Sequence, residues 1–191
     1  MITLCLLCGC LCTLLGACAS KKGGDEEQIL DFRAKILAAQ TLSMTVSLRA
    51  DYGDRVYDFK LAYAGSGSKG TLTVLEPELI EGVVVEFGDT IKLQYEGAEF
   101  DTGAILSSGL NPVETLPLMF SAWRSGFVEE SYRESVDGVD CIVVAIDLSA
   151  EGKDTVHKLW LDRETLLPVA GEIELSGYCV VSCKFADVVV G

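Results

Sequence analysis

Apolar residues recur along this chain in three patterns, and each marks a different kind of segment. Residues 1–17 are apolar almost without interruption and carry no charged side chain. A run of about 15 apolar residues suits the core of a secretory signal and is shorter than the roughly 20 needed to span a bilayer. Helical spacing follows in residues 25–40. There Ile29, Phe32, Ile36 and Leu37 fall near one face, with Asp31, Arg33 and Lys35 on the other. Asp25 is placed to cap this helix, and Glu26 and Glu27 lie in its first turn, where the helix dipole favours negative charge.

Alternation with period two then takes over, the pattern of strands with one wet face. Met44, Val46 and Leu48 alternate with polar residues, as do Tyr57, Phe59, Leu61 and Tyr63, around a turn at 51–54. These two runs predict a hairpin. Further strands are expected at 71–76, 81–87, 90–95 and 98–102, with Pro77 ending the first. A second helical segment is expected from Asn111, a cap, with Pro112 at the first helical position and Glu114 three residues after the cap. Pro117 should interrupt or kink it, and Gly126 should stop it. Its distal half, with Leu118, Met119, Phe120 and Trp123, is strongly apolar. Strands return at 128–136, 139–148, 155–162, 167–176 and 178–188. The sum is ten or eleven strands and two helical segments, a mainly β domain.

The N-terminal segment ends in Leu15-Gly16-Ala17-Cys18, followed by Lys21 and Lys22. This resembles the bacterial lipobox, in which small residues precede a cysteine that is acylated before cleavage. Its opening residues Met1-Ile2-Thr3 lack the basic charge of a usual signal. The resemblance implies a signal peptide over 1–17, lipidation at Cys18, a tether over 18–24 and one domain over 25–191. The domain would sit on the extracytoplasmic face of a cell membrane, held close by a tether only about 20 Å long when extended.

Formal net charge is −14, which argues against nucleic acid or anionic headgroups as main partners and suits a basic protein partner. Cys5, Cys8, Cys10 and Cys12 lie in the apolar N-terminal run, where metal ligation is a poor reading of their spacing. Cys141, Cys179 and Cys183 remain. On one regular strand, Cys179 and Cys183 would lie about 13 Å apart on the same face, too far to pair with each other. Three free thiols, or one bridge from Cys141, both remain open.

The remaining motifs do not assemble into a catalytic arrangement. His157 is the one histidine, in step with Leu159 and Leu161, with no nucleophile or carboxylate arranged beside it in sequence. It reads as a strand histidine with ordinary hydrogen bonds. Residues 65–70 are glycine-rich but lack the GxxxxGK[ST] spacing and precede a strand, so they read as a hairpin loop. There is no GxSxG elbow. Glu129 and Glu130 are neighbours on a strand and cannot face each other as a catalytic pair. The expectation is a protein with no catalytic residues, metal or cofactor.

The segment Leu159-Trp160-Leu161-Asp162-Arg163-Glu164-Thr165-Leu166-Leu167-Pro168-Val169, a strand, an Asp-x-x-Thr turn and a Leu-Pro strand, resembles the hallmark hairpin of the LolA/LolB/LppX-like superfamily. The order of lipobox, helix, β meander, helical interruption and further hairpins resembles that superfamily over nearly the whole chain. Within it the chain looks closest to lipoproteins of spore-forming clostridia such as the germination lipoprotein GerS. The resemblance implies a strongly curved antiparallel sheet, an incomplete β-barrel, with helices filling its open side. In carriers of this kind the hollow holds acyl chains. Here that maps to Phe59, Phe87, Leu93 and Tyr95 from the sheet and Ile36, Met119, Phe120 and Trp123 from the helices. The same residues would also serve as a filled core. Two functions follow as expectations. One is binding of an envelope protein partner, by the likeness to GerS a cell-wall amidase of sporulation or germination. The alternative is carriage or acceptance of acyl chains, with 111–126 as a lid hinged at Pro117 and Gly126.

Overall fold

The computed structural model describes residues 23–88, 90–103, 112–149 and 154–191. The signal segment, Cys18 and Asn111 lie outside these residues. Helix α1 spans Gly23–Ala38, and β1 (Leu42–Asp51), β2 (Val56–Ser66) and β3 (Lys69–Glu76) follow. A single 3-10 turn, Glu78–Ile80, leads to β4 (Val84–Phe87), β5 (Ile91–Tyr95) and β6 (Ala98–Gly103). Helix α2 spans Pro112–Ser125. The strands β7 (Phe127–Val136), β8 (Val139–Asp147), β9 (Thr155–Asp162), β10 (Pro168–Leu175) and β11 (Tyr178–Val190) complete the chain.

All strands form one antiparallel sheet in the order β6-β5-β4-β3-β2-β1-β11-β10-β9-β8-β7. The first and last strands pair at the centre, where β1 lies between β2 and β11. On β1, Leu42, Met44, Val46, Leu48 and Ala50 are buried while the residues between them are not. Opposite them stand Tyr63, Leu61 and Phe59 on β2 and Phe185, Cys183 and Val181 on β11. α2 packs on this apolar face through Phe120 against Tyr63 and Trp123 against Phe185, and α1 joins the same core through Ile29, Ile36 and Phe32, the last against Trp123.

The sheet is open, which corrects the expectation of a strongly curved, incomplete barrel. Its edge strands β6 and β7 do not pair with each other, and closing a barrel requires that pairing. The helices complete the core instead, so the sheet need not curl back on itself to bury its apolar face.

Local departures have local causes. α1 begins two residues before Asp25, and that side chain is held by Arg133 of β7. Ile29, Phe32 and Ile36 are buried, but Leu37 is 63% exposed, because it lies beyond the narrow stripe that meets the core. α2 runs on through Pro117. On β11 the register slips between the partners of Ile173 and Glu174. This bulge takes Cys179 off the alternation that buries Cys183, so the two sulfurs do not share a face. Cys141, Cys179 and Cys183 are free thiols.

The hallmark turn does structural work. Asp162 Oδ1 accepts from the backbone N–H of Glu164 (2.7 Å) and Thr165 (3.3 Å). The carbonyls thereby presented receive α1: Gln28 Nε2 donates to Arg163 O (3.0 Å) and Lys35 Nζ to Thr165 O (3.4 Å).

Candidate functional site

Most of the side chains singled out for a hollow fall in the one core that the sheet and the two helices enclose. Ile36, Phe87, Met119, Phe120 and Trp123 are buried in one core cluster, and Phe59 packs against its edge, half-buried. Leu93 and Tyr95 are half-buried on β5 and do not join the described cluster. The helical period carries Leu116, Met119, Phe120 and Trp123 of α2 onto the face turned to the sheet, each with at most 2% exposure.

Aromatic rings dominate the contact. Phe120 lies 4.4 Å from Tyr63 and 4.8 Å from Trp123, between ring centroids. Trp123 meets Phe185 edge-on at 5.5 Å and Phe32 of α1 at 6.0 Å. Tyr63 stacks on Phe87 at 5.8 Å. Such pairs contribute on the order of 1 kcal/mol each beyond area burial.

Tyr63, on the apolar alternation of β2, was not among the side chains that the resemblance assigned to the hollow. Its signal is the glycine pair in the loop read at 65–70. A Cβ on Gly65 would meet Tyr63 Oη at 2.0 Å, and one on Gly70 would meet Tyr63 Cε2 and Phe87 Cζ at 2.7 Å. The glycines leave room for the two rings.

His157 is fully buried at the same interface. Trp123 Nε1, which can only donate, bonds to His157 Nε2 at 2.8 Å. Nδ1 therefore carries the proton and donates to Glu172 O at 2.9 Å. The ring is neutral and both nitrogens are satisfied. Burial pulls its pKa down to about 4, against the smaller opposing effect of the Glu172 carbonyl. This fits a strand histidine with ordinary hydrogen bonds, and here it also ties α2 to the sheet.

The opposite face of the sheet carries a trough of about 940 Å³, lined in part by Arg49, Lys60, Glu134, Trp160, Glu172 and Lys184. Trp160 packs with Cys141 and Val143 in a small second cluster and donates to Glu134 Oε2 at 2.9 Å. Arg49 pairs with Asp58 at 3.1 Å and Lys60 with Glu76 at 3.7 Å, so much of the lining charge is matched internally. Burial, reinforced by Glu174, raises the Glu172 pKa. Among the described residues no group of three or more His, Cys, Asp or Glu side chains is placed to hold a metal ion. No helix among them is long and apolar enough to cross a membrane.

No family model matches the chain, and no curated protein matches it. Solved structures do. An uncharacterised conserved protein from Thermus thermophilus is similar with a TM-score of 0.53 at 10% identity, over 87% of each chain. The LolA superfamily protein NE2245 from Nitrosomonas europaea is similar with a TM-score of 0.47 at 13% identity, over 86% of this chain and 93% of that one. The complex of the CwlD amidase with the GerS lipoprotein from Clostridioides difficile contains a similar chain, with a TM-score of 0.44 at 17% identity, over 85% of this chain and 93% of that one. At such identities the likeness concerns the fold and not the function. The likeness to the Thermus thermophilus structure is one of fold, which in this chain is one open antiparallel sheet with two helices packed on its apolar face.

Proposed function

We propose that this chain is a non-catalytic lipoprotein, anchored by lipid on Cys18 at the outer face of the cytoplasmic membrane, that works by binding a protein partner. Residues 1–17 are its signal peptide, 18–24 its tether and 25–191 its single binding domain. The observation that carries the reading is the packing around Trp123. Phe32, Phe120, Phe185 and His157 surround it, so the described space between α2 and the sheet is taken up by the chain's own side chains. A carrier needs an open apolar volume of several hundred Å³, whereas a binding module needs a packed core and a usable surface. The net charge of −14 steers a basic partner. By the sequence resemblance to GerS, that partner is a cell-wall amidase used in sporulation or germination. Immobilised protein incubated with envelope extract should capture one such protein reproducibly. Repeated capture of nothing would sink the reading.

One observation favours acyl-chain carriage as the second reading. Phe59 is half-buried, and Tyr57 and Tyr52 continue its aromatic row to the surface, at centroid spacings of 6.5 and 6.2 Å. This row offers an apolar entrance to the helix-covered face. Under this reading Ile36, Phe59, Phe87, Leu93, Tyr95, Met119, Phe120 and Trp123 line the path, and α2 moves aside. Ala122→Trp, at a buried position of α2, should then change lipid loading. Unchanged loading would count against it.

A further inference from the structure

The two edges of the sheet differ. β6 is six residues long, whereas β7 is ten residues long. Among the described residues no strand pairs with the outer side of β7. A long edge presents a row of backbone N–H and C=O groups that will template another strand unless it is guarded. The guard on β7 is partial. Its register against β8 slips between Val128 and Glu130, a bulge that blunts the start of the strand. From Glu130 to Val136 the pairing is unbroken, and every side chain from Glu129 to Ser135 is exposed.

The charge on this edge is one-sided. Glu130, Tyr132 and Glu134 lie opposite Ala145, Val143 and Cys141 and share the face turned away from the helices. Ser131, Arg133 and Ser135 share the other. Arg133, the strand's one cation, is held by both carboxylate oxygens of Asp25, with Nη2 at 2.6 Å and Nε at 2.9 Å. Behind the edge, Lys158 is engaged by Glu174 at 2.7 Å. Two copies meeting edge to edge would bring Glu130 and Glu134 of each together, in a chain of net charge −14, and like charges directly opposite destabilise strand pairs.

We infer that the β7 edge is a docking strand for an extended, basic segment of a protein partner. The segment carries Lys or Arg opposite Glu130 and Glu134, an apolar residue opposite Tyr132, and small polar residues between. The main chain supplies the pairing and the alternate side chains supply the selection. This inference rests on the partner-binding reading and names the surface and the chemistry of the partner.

The test is a fluorescence-anisotropy titration of the full chain with a labelled peptide of about ten residues, its centre reading Lys-Thr-Val-Thr-Lys. Three controls accompany it: the peptide with Glu for Lys, the peptide with alternate backbone amides N-methylated, and the exposed double variant Glu130→Lys/Glu134→Lys. The basic peptide should bind and slow amide exchange along 130–136, and each control should weaken binding by about tenfold or more. Equal binding to the charge-reversed variant, or equal binding of the methylated peptide, would overturn the inference. So would β7 amides already protected in a dimer of the chain itself. If the reversed variant still captures the envelope partner as well as the native chain, the docking strand is wrong and the partner-binding reading stands. If neither captures a partner, both fall.

Discussion

His157 makes the stability of this fold depend on pH in a way that can be calculated. Its imidazole is buried and neutral, accepting from Trp123 and donating to Glu172 O. Its pKa is about 4 in the folded chain against 6.5 for the free side chain. Because the folded value is the lower one, the unfolded chain takes up the proton first. Stability is therefore full above pH 6.5, falls as the pH drops towards 4, and loses nothing further from this group below that. Between pH 7 and about pH 4.5 the loss works out at roughly 2 kcal/mol. His157→Gln removes the titration and keeps an acceptor for Trp123 within reach. Urea unfolding of both proteins, followed by tryptophan fluorescence, should show the native chain losing about 2 kcal/mol more than the variant over that interval. Parallel pH profiles would mean that His157 is not held neutral at the helix–sheet contact, and would refute the argument.

Other perturbations test other contacts. Gly126→Ala would place a Cβ 2.3 Å from Ile146 Cγ2 and 2.8 Å from Ala122 O. It should destabilise the fold by about 1–3 kcal/mol in denaturant titration, and no loss would mean that α2 ends differently. Asp162→Ala removes the acceptor for two turn N–H groups and should cost on the order of 1 kcal/mol. Hydrogen exchange should also quicken in α1, which docks on that turn, and an unchanged α1 would argue against the docking. Burial of its sulfur, with Glu172 and Glu174 nearby, raises the Cys179 thiol to about 11. Alkylation at neutral pH should be slow at this exposed residue, while buried Cys141 and Cys183 should react only after unfolding. Rapid labelling of the native protein at all three positions would contradict this.

The alternation along β1 and β2 was legible because one face is apolar and the other polar, and the pairing of these two strands has no bulge to break the period. The Asp-x-x-Thr turn was legible for a local reason too, since Asp162 bonds N–H groups two and three residues on. Curvature was not legible. Alternation assigns each residue to a face but contains nothing about how far the sheet bends, and the barrel came from the resemblance alone. Leu37 and Cys179 were misplaced where a stripe is narrower than a full helix face and where a bulge breaks the count. The partnership of Trp123 with His157 crosses 34 residues of chain, so no local pattern exposes it. Of the candidate cluster, Met119, Phe120 and Trp123 stood out as part of an apolar run, and the resemblance assigned them to the covered face. Tyr63 could have been found from the two glycines that make space for it.

In the proposed function this domain works through its surface and not through a lipid-filled interior. Native mass spectrometry of residues 19–191, purified without the anchor and then incubated with lipid vesicles, tests it most directly, with lipid extraction alongside. A packed interior gives a clean protein mass before and after incubation, and no extractable fatty acid. Added mass that extracts as fatty acid or phospholipid would contradict it, and would make acyl-chain carriage the function of the face beneath α2.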